Sequence, residues 1–300
     1  MPAWRGRLFG LDVLSELYLP FKQDLDLAAE KASVQIRFGK IAPADNWLTR
    51  RGEDGLQFEV EDVGRFLVKG GREVIIDPAA GVSERNLRVY LLGSAFGAIL
   101  HQLGVLSLHA NAVVIEGKAF AFIGRSGAGK STLAAWFQAQ GHVVLADDVC
   151  AVSFASDGRP MVLPGVPRLR LWKDALEHAG HDSKNFERSF DGEEKYDIPA
   201  PLESQHEASP LAGCYWLDEP GIDIPLRIDR LSGAKAVEML MTNTFRGRFV
   251  PLLGRSASHM RSCVQLAAMV PVYRAIRRKN RDEYESVARQ LRQHALSVLD

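Results

Sequence analysis

An α/β fold assembled around a phosphate-binding loop is the class this sequence predicts, on three observations. The runs Ala112-Val-Val-Ile115 and Phe120-Ala-Phe-Ile123 flank Glu116-Gly117-Lys118, the pattern of two buried strands joined by a tight turn. Gly124-Arg-Ser-Gly-Ala-Gly-Lys-Ser131 follows directly, and Thr132 to Gln140 then has helical character up to a stop at Gly141. On either side, residues 1–82 read as a small β-rich N-terminal subdomain and residues 83–300 as a larger domain that ends in helices.

The central stretch carries chemistry by its composition. Its glycines let the N–H groups of Gly124, Arg125, Ser126, Gly127, Ala128 and Gly129 curl round phosphate oxygens, and the helix opening at Lys130, Ser131 and Thr132 adds its positive dipole end. Lys130 then reaches the β- and γ-phosphates, and the Ser131 hydroxyl can ligate Mg²⁺. The Arg125 side chain is expected to point away from this nest of N–H groups.

Composition excludes several classes. With 46% hydrophobic residues over 300 positions the chain can bury a full-sized core, so it is neither disordered nor fibrous. Its 37 basic residues equal its 37 acidic ones, and no overall field draws it to nucleic acid or to a membrane. Cys150, Cys214 and Cys263 are odd in number, far apart and without ligand-like spacing, as expected of reduced thiols in a cytoplasmic protein. The first residues lack the apolar core of a signal peptide, and Val89 to Leu108 is too polar and too interrupted by glycine for a membrane span.

In chain order, Phe9 to Leu14, Ser33 to Phe38, Leu56 to Val60, Phe66 to Lys69 and Arg72 to Asp77 suggest the strands of a small antiparallel sheet. Ser83 to Gln102 places Leu87, Tyr90, Leu91, Ala95 and Ala98 at helical spacing. Pro160 to Trp172 reads as extended, Lys173 to Ala179 as a short helix, and the polar stretch His181 to Pro210 as a mobile loop over a site or a disordered excursion. Leu211 to Leu217 and Pro225 to Asp229 resume the sheet, Ala234 to Met241 is a helix, and Ala257 to Leu299 is helical with a kink at Pro271. Arg274, Arg277, Arg278, Lys279 and Arg281 read as a solvated helix face. His178 and His181 have a ligand-like gap but no companions for zinc.

Beyond Gly141 the strand His142-Val-Val-Leu-Ala146 ends on Asp147-Asp148. Two carboxylates at the tip of a buried strand are costly unless they hold a cation or accept protons. Consecutive strand residues face opposite sides, so both acids serve one site only if the chain turns there. One then ligates Mg²⁺ while the other handles the proton of an attacking hydroxyl. His109, just ahead of the hairpin, reads by itself as a hydrogen-bonded core residue. The transporter-ATPase and GTPase classes drop out: the acidic strand comes too early for the first, and the base-reading N-K-x-D motif of the second is absent.

Leu108-His109-Ala110, the hairpin, Gly124 to Thr132, and Gly141-His-Val-Val-Leu-Ala-Asp-Asp148 together resemble, in order and spacing, the core of the HPr serine kinase/phosphorylase family. The likeness is strongest over residues 106–152. It is closest to the branch that includes kinases found beside peptide-modification gene clusters, and extends to Gly10 to Pro20 and Pro167 to Trp172. The resemblance implies a mixed β-sheet of the phosphoenolpyruvate-carboxykinase type and transfer of phosphate from a nucleotide to a serine hydroxyl. It makes Asp148 the proton acceptor, leaves Asp147 beside Mg²⁺, and makes His109 the residue that supports Asp148. Thr132 stands where those enzymes often have Glu, and their downstream metal-binding glutamate segment and arginine-glycine motif are not recognisable here.

The expected activity is therefore an ATP- and Mg²⁺-dependent kinase acting on a serine of a small protein or peptide, with a homo-oligomer compatible with the sequence. A small-metabolite kinase and a non-catalytic nucleotide-binding regulator are the alternatives. An arginine on the transferring phosphoryl group would complete the set. The candidates are Arg168 and Arg170 on the extended stretch, Lys195 on the polar loop, and Arg246 or Arg248 in Thr244-Phe-Arg-Gly-Arg-Phe249.

Overall fold

A computed structural model describes residues 3–21, 32–199, 207–219, 224–277 and 283–299, the side chain of His178 excepted. These fall into two compact units, one of Met1–Val105, Arg188–Lys195 and Arg246–His259, the other of Leu106–Glu187, Tyr196–Phe245 and Met260–Asp300. The division lies elsewhere than the boundary expected at residue 82, because the helices that follow residue 82 pack on the N-terminal sheet.

That sheet has seven strands: β1 (Trp4–Leu8), β2 (Leu11–Ser15), β3 (Val34–Phe38), β4 (Leu48–Arg51), β5 (Gly55–Val60), β6 (Gly64–Lys69) and β7 (Glu73–Pro78). Their order is β1-β2-β3-β7-β6-β5-β4. The expectation of a purely antiparallel sheet is corrected, since β3 runs parallel to both β2 and β7. Only a tight turn forces neighbours antiparallel, and the long connections on either side of β3 leave room for a crossover. Helix α1 (Glu84–Tyr90) starts where the Ser83 hydroxyl accepts the Asn86 N–H at 3.3 Å. It passes through a π-helical turn (Leu91–Ala95) into α2 (Phe96–Gln102), whose Phe96 ring lies 5.5 Å from that of Phe9.

The second unit contains β8 (Leu106–Leu108), β9 (Ala110–Ile115), β10 (Lys118–Ile123), α3 (Lys130–Ala139), β11 (Val144–Ala146), β12 (Cys150–Phe154), β13 (Pro160–Leu163), β14 (Arg168–Trp172) and α4 (Lys173–His178). Later in the chain come β15 (Glu187–Arg188), β16 (Lys195–Pro199), β17 (Ser209–Asp218), β18 (Arg227–Leu231), α5 (Ala234–Thr242), α6 (Phe249–Leu252), α7 (Ser256–Met269), β19 (Val272–Ile276) and α8 (Tyr284–Ser297); α6, α7 up to His259, Arg188 of β15 and Lys195 of β16 fall in the first unit. The main sheet has the order β11-β9-β10-β17-β13-β12-β8, with β19 joined to β17 and β18. It is mixed: β9 is antiparallel to β10 and β11, while β17 is parallel to β10 and β19.

Two-residue alternation along β9 and β10 gives this sheet two apolar faces. Val113, Ile115, Phe120 and Phe122 pack with Leu133 and Phe137 of α3 and Leu291 of α8. Ala112, Ala119, Ala121 and Ile123 pack with Leu240 of α5 and Leu266 of α7. The hairpin turns at Glu116 and Gly117, both with positive φ (47° and 73°), which suits the right-handed strand twist. The three cysteines are buried and take part in no disulfide among the described residues, and burial alone pushes the Cys150 and Cys263 thiols up to about 12.

Three further expectations are corrected. Val272 to Ile276 is a strand and not part of a helix: Pro271 ends α7, and the β-branched and aromatic residues after it add a parallel neighbour to β17. The polar stretch from His181 is no bare loop, because β16 anchors Tyr196 and Ile198 in the core; residues 200–206 lie outside the described ones. Arg274 and Arg277 do not lie on a solvated helix: Arg274 pairs with Asp218 and Arg277 is 5% exposed, while Arg278, Lys279 and Arg281 lie outside the described residues. Among the described residues no helix is long and apolar enough to cross a membrane.

Histidines make the stability depend on pH. His142 Nδ1 faces the Val114 carbonyl at 3.1 Å and Nε2 faces Arg292 Nε at 3.1 Å, so the ring is neutral with its proton on Nδ1. Burial, then the Arg292 charge, holds its pKa below the ordinary value, and burial lowers those of His259 and His294. A pKa below the unfolded value of about 6.5 means that the unfolded chain binds more protons, so stability is lost as pH falls through that value. The urea midpoint is expected to be lower at about pH 5.5 than at about pH 7.5, and an unchanged midpoint would contradict this assignment.

Candidate active site

Strands β10 and β11 end at the same edge of the sheet, because β9 runs antiparallel to both. The glycine-rich loop leaves β10 there, and Asp147-Asp148 leave β11. Gly129 caps α3 with φ 72° and contributes no side chain, so no capping group competes for the first N–H groups of the helix. Arg125 is exposed. Lys130, 5% exposed, donates to the carbonyls of Gly124 at 2.9 Å and Arg125 at 3.0 Å. The lysine thus bends back over its own loop.

The turn that the two acids require is present. The Val149 N–H donates to the Asp147 carbonyl at 2.9 Å across Asp148, whose φ is 67°. This three-residue turn with positive φ at its centre is rare and strained, and such backbone persists where its surroundings hold it. One surrounding group is fully buried Asn111, whose Oδ1 accepts the Asp148 N–H at 3.4 Å. Both carboxylates consequently meet Arg170. Asp147 Oδ2 accepts its backbone N–H at 2.7 Å, and Asp148 Oδ2 lies 3.4 Å from its Nη1.

Asp147 Oδ1 also accepts the Ser131 hydroxyl at 3.0 Å. Adjacent corners of a Mg²⁺ octahedron with bonds of about 2.1 Å are themselves about 3.0 Å apart, so these two oxygens fit a shared Mg²⁺. No group of three or more acidic, histidine or cysteine ligands occurs among the described residues. A Mg²⁺ that travels with a nucleotide needs only one or two carboxylates, the rest being phosphate oxygens and water.

Leu108 pairs with Cys150 across β8 and β12, so the register carries His109 toward Val149 and the Asp148 turn. Its ring stacks on Phe245 at 5.9 Å, and its backbone N–H donates to the Asn243 carbonyl at 2.8 Å. On β14 the expected alternation holds: Leu169 and Leu171 enter the core, and the arginines take the other face. Arg168 is spent on an ion pair with Asp197, and Arg170 is the one turned to the acids. Lys195, Arg246 and Arg248 fall in the other compact unit.

Sequence reasoning missed Arg277 and Asn111. Arg277 looked like one member of a basic run, and only the Pro271-delimited strand ahead of it would have signalled burial. Asn111, a polar residue inside the apolar run Ala110 to Ile115, was a visible signal.

Neither a family model nor a curated protein matches the chain. Among solved structures, the HPr(Ser) kinase/phosphatase from Coxiella burnetii is similar at a TM-score of 0.35 and 12% identity, over 65% of this chain and 99% of that one.

Proposed function

We propose that this protein is an ATP- and Mg²⁺-dependent kinase that transfers the γ-phosphoryl group to a hydroxyl, a serine of a small protein or peptide. The 3.0 Å contact of Ser131 with Asp147 at the mouth of the glycine-rich loop carries this reading, since it joins a metal-type oxygen pair to a phosphate cradle. Asp148 stands beside that pair without being part of it, where a proton acceptor belongs.

Lys130 exchanges its two loop carbonyls for β- and γ-phosphate oxygens. Ser131 and Asp147 would hold Mg²⁺, which when bound would supply charge neutralisation on the phosphates. The acceptor oxygen attacks the γ-phosphorus, the bond to the β-bridging oxygen breaks, ADP leaves, and the hydroxyl proton passes to Asp148. Arg170 orients the Asp148 carboxylate. His109, between β8 and β9, supports the acid turn. The reaction belongs in the cytoplasm, with no nucleic acid or membrane as partner.

The experiment supplies labelled ATP, Mg²⁺ and a cell extract split by filtration into polypeptide and small-molecule pools. Acid-stable label on serine in the polypeptide pool is expected. Label confined to the small-molecule pool would replace this reading with a metabolite kinase, and failure to bind ATP would remove it.

A further inference from the structure

The phosphate loop is held from outside as well as from inside. Arg277 follows β19, and its backbone N–H donates to the Asp218 carbonyl at 3.0 Å. Its guanidinium is buried, donates through Nη2 to the carbonyl of Ala128, and pairs with Glu219 Oε1 at 2.9 Å. A Cβ placed on Gly129 would lie 3.0 Å from the same nitrogen and 3.9 Å from the Tyr284 ring. The arginine therefore occupies the space behind Gly129. Burying a guanidinium is costly, and a methionine of similar reach would fill that space without the penalty. Glu219 offsets the charge, and the Ala128 carbonyl gives the donor its place on the loop.

In a trans peptide the C=O and the following N–H point in opposite directions, and no cis peptide occurs among the described residues. Holding the Ala128 carbonyl outward thus aims the Gly129 N–H inward, toward the phosphate. The inner tie behaves differently. Lys130 gives up Gly124 and Arg125 when it takes phosphate, whereas the Arg277 bond lies on the opposite side of the peptide and does not compete with the ligand.

We infer that Arg277 is a positioning residue for phosphate binding: with Glu219 holding it in place, it fixes the Ala128–Gly129 peptide with its N–H toward the phosphates. The inference rests on the nucleotide-binding reading above. It concerns binding to the loop, so it applies to ATP, ADP and inorganic triphosphate alike, and not to adenosine, which has no phosphate.

Arg277→Met alone would strand the Glu219 carboxylate, so the test uses the double variant Arg277→Met/Glu219→Gln, with Arg277→Leu/Glu219→Gln as the second variant. Each is compared with wild type for the Kd of inorganic triphosphate, ATP and adenosine, and for kcat and KM. The expected result is a loss of triphosphate and ATP affinity of about tenfold to a hundredfold, the worth of one hydrogen bond to a charged group. KM for ATP should rise in step, kcat should stay within about threefold, and any adenosine binding should be unchanged. A general loss of stability would lower the melting temperature without this split between ligands. Either double variant, if it folds and binds triphosphate within about twofold of wild type, overturns the inference. If wild type itself binds neither ATP nor triphosphate, the nucleotide reading fails and the inference falls with it.

Discussion

Lys130→Ala is expected to reduce phosphoryl transfer by about 10³-fold or more, because a cation preorganised on the transferring group is among the largest single contributions to such catalysis. The effect has two sources. Alanine removes the charge that the β- and γ-phosphates would meet, and it removes the bonds that tie Lys130 to the carbonyls of Gly124 and Arg125. Weaker ATP binding should accompany the lost turnover, and Lys130→Arg should not restore it, since a planar fork cannot replace a point charge in so close a cradle. Initial rates of ADP formation in the presence of the polypeptide pool provide the measurement. Turnover within about tenfold of wild type would remove Lys130 from the mechanism.

Asp148→Asn is expected to lower transfer by about 10² to 10⁴-fold, the usual range for a lost proton acceptor, with ATP affinity within about twofold of wild type. Asparagine is the appropriate replacement because it tolerates the left-handed backbone at this position, φ 67°, and so preserves the turn. It also keeps an oxygen for Arg170 Nη1 while being unable to take up the proton. Transfer at the wild-type rate would show that another group accepts the proton. A parallel loss of ATP binding would instead place Asp148 on the nucleotide.

The hairpin, the loop, α3 and the acid-tipped strand were legible because each is local: apolar runs, glycine punctuation and a helix stop fall within 110–148. The need for a turn at Asp148 was legible too, since strand alternation forbids adjacent acids from sharing a site. What escaped depended on partners distant in the chain. Val272 to Ile276 sits between two helices and takes its strand identity from β17, more than fifty residues earlier. Arg277 follows from that misreading, since a residue assigned to a solvated helix cannot be seen as the one behind Gly129. The parallel pairs of β3 lay beyond reach for the same reason, as pattern specifies a strand but not the direction of its neighbour.

In an all-parallel sheet the edge that gathers ligands is reached only by residues leaving their strands. The antiparallel β9 between β10 and β11 changes the traffic, because it begins at the edge where they finish, with Ala110 opposite Ile123. A residue on its way in, His109, therefore joins groups on their way out, and the two legs of the hairpin serve as a ruler between them. Lengthening the Glu116–Gly117 bend, at the far end of that ruler, should leave the working edge undisturbed. Inserting one residue within either leg would slide the histidine against the loop and turn every apolar side chain beyond the insertion to the wrong face.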